Sequence, residues 1–227
     1  MRAVVIALAV LIAVSLPAML IVNGFRVLAT DAFVGWELRR DGFPPDPYGL
    51  ATEQRVALAR TGLASIEPGS EGIALLERAT LPDGSGAFQE REVSHMRDVR
   101  TLFDAALRLQ LIAALAIGAL ALVLLRTRLR TAVPAGLLAG SLATLGIALL
   151  LVPLILFGFD GFFTRFHEIF FSGDSWLFAD SDTLIRIYPE RFWTDVSRYT
   201  AAMTVAQALV LAPLSWWWLR AARRRNA

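Results

Sequence analysis

Four long uncharged runs alternate with polar stretches along this chain. Ala3–Val22 holds 20 residues, Leu109–Leu125 holds 17, Ala135–Phe159 holds 25 and Thr200–Leu219 holds 20. At about 1.5 Å per helical residue these reach roughly 25–38 Å, against a bilayer hydrocarbon core of about 30 Å. The pattern predicts four transmembrane helices, at 1–24, 101–126, 134–159 and 200–219. The first run is longer than the apolar core of a signal peptide, roughly 7–15 residues, so it reads as a retained span. Gly136 and Gly140 give the third span a small-xxx-small face for close helix contact. Trp216, Trp217 and Trp218 form an interfacial aromatic belt on the fourth.

Two polar stretches remain, 25–100 and 160–199. In the first, Thr52 is placed to cap a helix through ATEQRVALARTGL. Glu71–Ala79 reads as a short helix, and LPDGSG at 81–86 as a turn. Residues 86–93 suit either a strand or the approach to the next helix. Ser94 is placed to cap a helix that starts at His95 and runs into the second span. The predicted architecture is an all-α integral membrane protein, with four transmembrane helices and an extracytoplasmic cap.

Composition agrees: 56% of the 227 residues are hydrophobic and the mean hydropathy is +0.55. No cysteine is present, which excludes disulfides and thiolate chemistry. All 22 basic residues are Arg, which removes any lysine nucleophile. The arginines flank the spans, so nucleic acid is not an expected partner. Arg2, the 127–133 loop with Arg126, Arg128 and Arg130 around it, and the 220–227 tail fall on one side of a four-span protein. The positive-inside rule makes that side cytoplasmic. Both polar stretches then face outward.

Only two histidines occur, His95 and His167. His95 shares a helix face with Asp98, Val99 and Leu102, and a carboxylate one turn away would orient the imidazole and raise its basicity. His167 falls on an aromatic face built from Phe159, Phe162, Phe163, Phe166 and Phe170. Either feature also has a plainer reading, a solvated helix end for the first and a packing or lipid-contact face for the second. The topology puts both rings on the outer side near a span, which points to one shared site. A metal centre using both histidines with Asp98, Glu168 or Asp182 is a second reading, without HExxH-type spacing to support it. Ser94, Ser172 and Ser175 lack a nucleophile elbow, and no glycine-rich phosphate loop is present. A non-enzymatic lipid-binding or assembly scaffold fits the composition equally well.

The residues also carry a resemblance. SHMRDVRTLF, Ser94–Phe103, resembles the His-Met-x-Asp-Val-basic motif of the lipoprotein intramolecular transacylases, a bacterial membrane family. Phe166-His167, Phe170-Phe171, Trp176, Asp182-x-Leu184-Ile185, Pro189 and Phe192-Trp193 resemble that family's second signature, and Tyr48-Gly49-Leu50 is a weaker third match. Ser172–Ser175 departs from the family, which often has an Asn-containing acidic stretch there.

The resemblance implies a four-span enzyme of the bacterial inner membrane with its active site on the extracytoplasmic side. Its substrate would be a diacylglyceryl lipoprotein within membrane lipids, and no external acyl donor or cofactor would be needed. The sn-2 acyl chain would move to the α-amine of the lipoprotein's own N-terminal cysteine, leaving an N-acyl lyso-form. A histidine near pKa ~6.5 suits the deprotonation of an amine of pKa about 8. On this reading His95, oriented by Asp98, is the base and His167 the acid or oxyanion donor, with the roles exchangeable. Phe163, Phe166, Phe170 and Trp176 would hold acyl chains, and Tyr48, Asp182 and Arg186 would position the head group. A histidine- or metal-dependent lipid hydrolase is the alternative enzyme.

Overall fold

The computed structural model describes residues 2–124 and 129–224. Arg126, Arg128 and Arg225, which the charge argument used, lie outside the described residues. The chain is helical, in the order α1 (Arg2–Leu28), α2 (Asp31–Arg39), α3 (Thr52–Ile66), α4 (Ala74–Glu77), α5 (Glu90–Leu124), α6 (Ala132–Phe157), α7 (Phe159–Phe170), α8 (Thr183–Ile187) and α9 (Glu190–Arg224). Among the described residues there is one isolated bridge, Thr80 with Gly86, and no strand. Helices α1, α5, α6 and α9 are long and apolar enough to cross a membrane. The chain divides into two compact units.

The first unit comprises 1–25, 107–156 and 198–227. Its large apolar side chains point outward, Val14, Leu122, Leu149 and Leu150 being strongly exposed, as lipid-facing positions require. Small residues hold α1 to α6. A Cβ at Gly136 would fall 2.7 Å from the Ala9 carbonyl oxygen, and one at Gly140 would fall 2.8 Å from the Leu16 Cβ. This is the contact the small-xxx-small spacing predicts. Ile12, Ala132 and Val133 form one buried cluster, and Leu16, Leu20 and Ala208 another. Polar side chains tie the helices together: Asn23 Nδ2 donates to Gln207 Oε1 at 2.6 Å, and Gln110 Nε2 to the Met19 carbonyl at 3.3 Å.

The second unit comprises 26–106 and 157–197. Helix α2 was not foreseen; Thr30 caps it by accepting from the Phe33 N–H. The N-cap of α3 is Ala51 and not Thr52. The Gln54 side chain reaches back to the Ala51 N–H at 2.9 Å and satisfies it. The short helix expected at 71–79 shrinks to α4. Two ion clusters bind the pieces together. Arg40 joins Glu37, which is fully buried, to Asp195 at the start of α9, and Arg191 adds a second bond to Asp195. Arg186 of α8 pairs with Asp46 in the proline-rich segment at 2.9 Å. Buried Arg55 donates to the carbonyls of Arg186 and Pro44 at 2.5 and 2.8 Å, fastening the same segment.

Three helix boundaries correct the sequence reading. Helix α5 starts at Glu90, so Ser94 is interior and caps nothing. Gln89 is the cap position, and its N–H is taken by Glu92, the third residue of the helix, which is one half of a capping box. The third span ends at Phe157, because Gly158 breaks the helix and Phe159 opens α7. Helix α9 starts ten residues before the expected 200.

Candidate active site

Helix α5 has 35 residues, about 52 Å of helix, and only its uncharged C-terminal half is needed to cross a bilayer. Its charged first turns, with His95, belong to the second unit. The buried arc of these turns runs through Glu92, His95 and Met96. Asp98 falls outside this arc and is exposed. The expected His95–Asp98 pair is therefore not made, and His95 Nδ1 is buried without a hydrogen-bond partner.

A knot of hydrogen bonds fixes where His95 stands. Leu184 N–H, in the first turn of α8, donates to Glu92 Oε1 at 2.7 Å, while Gln89 N–H donates to Oε2 at 2.7 Å. Asp182 accepts from Gln89 Nε2 at 3.0 Å, from Arg91 at 2.7 Å and from Ala179 N–H at 2.8 Å. Thr183 Oγ1 donates to the Ala87 carbonyl. Together they clasp the start of α8 to the start of α5, one turn before His95. Asp182 was expected to hold a head group, but both its oxygens are engaged within the protein.

His167 comes from α7, whose aromatic residues recur at helical spacing. The ring lies 4.1 Å, centroid to centroid, from Phe163 one turn earlier. Its Nδ1 is 2.8 Å from the Phe163 carbonyl oxygen. A carbonyl only accepts, so Nδ1 carries the hydrogen, and in the neutral ring Nε2 is left as an acceptor.

The two imidazoles stand 6.2 Å apart, with planes inclined by 24°. Phe171 touches both, at 4.8 Å from His95 and 5.4 Å from His167. Phe178 meets His95 edge-on at 5.3 Å, and Trp176 meets His167 at 4.8 Å. Phe166 lies 5.5 Å from His167 and 4.9 Å from Phe170, and both phenylalanines are partly exposed. The histidines are 8% and 9% exposed, which decides their protonation. Burial, with the neighbouring His167 as a lesser cause, pushes His95 down to about 4. Burial also lowers His167, against the Phe163 hydrogen bond. Both rings are neutral at pH 7.

Arg186 carries its guanidinium 5.6 Å from the Tyr48 ring centre and donates to the Tyr48 carbonyl at 3.3 Å, beside its pair with Asp46. These two expected residues therefore sit together. Glu168 pairs with Arg165 at 2.9 Å. Among the described residues no three His, Cys, Asp or Glu side chains converge on a metal-sized space. Sequence reasoning missed Phe178 and Glu92. The signal for Glu92 was its three-residue spacing from Gln89; no local pattern marked Phe178.

Known proteins agree with this architecture. The family model for the lipoprotein intramolecular transacylase Lit matches residues 74–193. An uncharacterized protein of Aquifex aeolicus (strain VF5) is 32% identical over 179 residues, 79% of each chain. The fold is similar to the in meso structure of the membrane integral lipoprotein intramolecular transacylase Lit from Bacillus cereus. The TM-score is 0.81 at 16% identity, over 99% of this chain and 100% of that one. Two variants of that protein, with a histidine replaced by arginine or alanine, match at TM-scores of 0.66 and 0.71 and 15% identity, over 98–99% of this chain and 96–97% of theirs. The family match spans more than half of the chain and includes both His95 and His167, so this chain belongs to the lipoprotein intramolecular transacylase family of membrane acyltransferases.

Proposed function

We propose that this enzyme moves the sn-2 acyl chain of a diacylglyceryl lipoprotein to the α-amine of the same molecule's N-terminal cysteine, on the extracytoplasmic side of a bacterial inner membrane. The observation that carries the reading is the His95–His167 pair, 6.2 Å apart inside an aromatic shell. Neighbouring rings at that centroid separation can both reach one bound head group, each through its own ring nitrogen.

His167 Nε2 is the base, because Nδ1–H is committed to the Phe163 carbonyl. It takes a proton from the amine as the nitrogen bonds to the ester carbon. It returns that proton to the glyceryl oxygen as the carbon–oxygen bond breaks. His95, neutral and without a carboxylate partner, donates a hydrogen bond to the departing glyceryl oxygen. These roles are the reverse of those expected from a His95–Asp98 pair. Donor ester and acceptor amine share one molecule, so the aromatic shell need only fold them together; such positioning is worth roughly 7–11 kcal/mol. Phe163, Phe166, Phe170 and Trp176 supply apolar surface for the lipid, and the exposed Tyr48 ring stands as head-group contact, with Arg186 holding it in place.

The test is to incubate the purified protein with a diacylglyceryl lipopeptide bearing a free cysteine amine and fragment the product by mass spectrometry. Unchanged total mass with one acyl chain on the α-amine supports the reading. Loss of an acyl chain to water makes the enzyme a hydrolase, and an unaltered lipopeptide rejects this substrate.

A further inference from the structure

Trp176 was read as apolar surface, yet its Nε1 is buried and has no hydrogen-bond partner. Buried indole N–H groups ordinarily find an acceptor, and one that does not calls for an explanation. Trp176 sits on His167, with ring centroids 4.8 Å apart and planes inclined by 32°. Of the other rings around His167, Phe163, Phe166 and Phe171 carry no side-chain acceptor, and only His95 has ring nitrogens. An unpaired donor thus stands beside the ring assigned as the base, and it makes no hydrogen bond to either imidazole. The missing acceptor is expected to arrive with the substrate.

We propose that the Trp176 indole N–H donates to the carbonyl oxygen of the ester under attack and holds the oxyanion that forms there. This rests on the acyl-transfer reading above. The electron balance defines the need. As the amine nitrogen bonds to the carbonyl carbon, the carbonyl π pair moves onto oxygen, and the amine proton passes to His167 Nε2. The oxyanion then collapses, the carbon–glyceryl oxygen bond breaks, and the glyceryl oxygen takes the proton. Of the reacting atoms, the carbonyl oxygen both accepts a hydrogen bond at rest and gains charge in the transition state. A donor fixed there in a dry site stabilises the transition state more than the substrate. His95 attends the leaving oxygen, so the two donors serve different atoms.

The experiment replaces Trp176 with β-(3-benzothienyl)alanine, which keeps the ring shape and puts sulfur in place of N–H, alongside Trp176→Phe. Both are assayed on the diacylglyceryl lipopeptide. We expect kcat to fall about 10²–10³-fold, the usual cost of removing one oxyanion donor, with KM little changed. The melting temperature of the substrate-free isostere variant should hold or rise, because an unpaired buried donor has been removed. A merely structural N–H would give the opposite, with stability and activity falling together. Full kcat in the isostere variant beside an active wild type overturns the donor alone. A wild type that transfers no acyl chain overturns the reaction, and the donor with it.

Discussion

His95 and His167 lie 6.2 Å apart, and they are held there by different means. His167 is anchored within its own helix, by a hydrogen bond to the carbonyl four residues back. His95 has no such anchor on Nδ1 and is placed by its aromatic neighbours and by the knot at Glu92, one turn earlier on α5. One ring has a defined tautomer and an open acceptor; the other is a neutral ring with no carboxylate to raise its basicity.

Replacing either ring should therefore stop turnover without unfolding the protein. For His95→Asn and His167→Asn we expect activity to fall by about 10²–10⁴-fold, the usual range for a positioned acid or base. The double variant should be little worse than either single one, because groups that act as a unit are not additive. Initial rates on the lipopeptide, with thermal unfolding in detergent alongside, check this. Near-wild-type rates in either single variant would sink the assignment.

The pH dependence follows from the same burial. With His95 near 4 and His167 lowered, neither ring protonates near pH 6.5. The rate should then rise with pH toward about 8, where the substrate amine loses its proton, with no separate inflection at the ordinary histidine value. Stability has the matching sign. The unfolded chain binds protons at its histidines below about 6.5 while the folded His95 does not, so stability falls as pH drops from 6.5 toward 4. Unfolding midpoints across that window, for wild type and His95→Asn, measure it; an unchanged slope in the variant would contradict the shift.

The four long apolar helices and the approach of the two histidines were legible because they rest on run length and on residues too rare to misread. The His95–Asp98 pair misled because three residues apart on a helix allows contact without requiring it. The buried arc through Glu92 and Met96 turns Asp98 toward solvent. Phe178 and the Asp182 knot were not legible because they depend on α8 folding back onto the start of α5, over a separation of about ninety residues. Short-range periodicity holds no information on that.

Glu92 gives a test of the knot. Glu92→Ala would strip acceptors from two N–H groups, those of Leu184 and Gln89. Each orphaned buried donor costs about 1–3 kcal/mol, so a loss of about 2–6 kcal/mol is expected. Glu92→Gln keeps one acceptor oxygen and should lose roughly half as much. Chemical unfolding of the two variants gives the comparison, and equal losses would show that the bonds are not the cause.

The Asp46–Arg186 pair is nearly closed to solvent, with side chains 0% and 10% exposed. Burial by itself would raise the Asp46 carboxyl, but the Arg186 and Leu50 hydrogen bonds and the Arg186 charge hold it below the usual range. Arg186→Met leaves that carboxylate buried and unpaired, which costs about 3–5 kcal/mol. Adding Asp46→Asn should recover part of the loss, whereas Arg186→Lys should recover little, since a lysine cannot make both bonds. A double variant no more stable than Arg186→Met would refute the coupling.

Two glycines of α6 should respond in opposite directions. A Cβ at Gly140 would lie 2.8 Å from the Leu16 Cβ and 3.1 Å from the Ala13 Cα, the second being backbone that cannot swing aside. Gly140→Ala therefore forces α1 and α6 apart, at about 1–3 kcal/mol. Gly146, six residues on, would meet nothing within 4 Å. Gly146→Ala adds only helix propensity and a stiffer unfolded chain, a gain of about 0.4–1 kcal/mol. Melting temperatures in one detergent settle the pair. If both variants shift the same way, α6 responds to its intrinsic propensity alone, and close α1–α6 contact through small residues is not what holds these helices together.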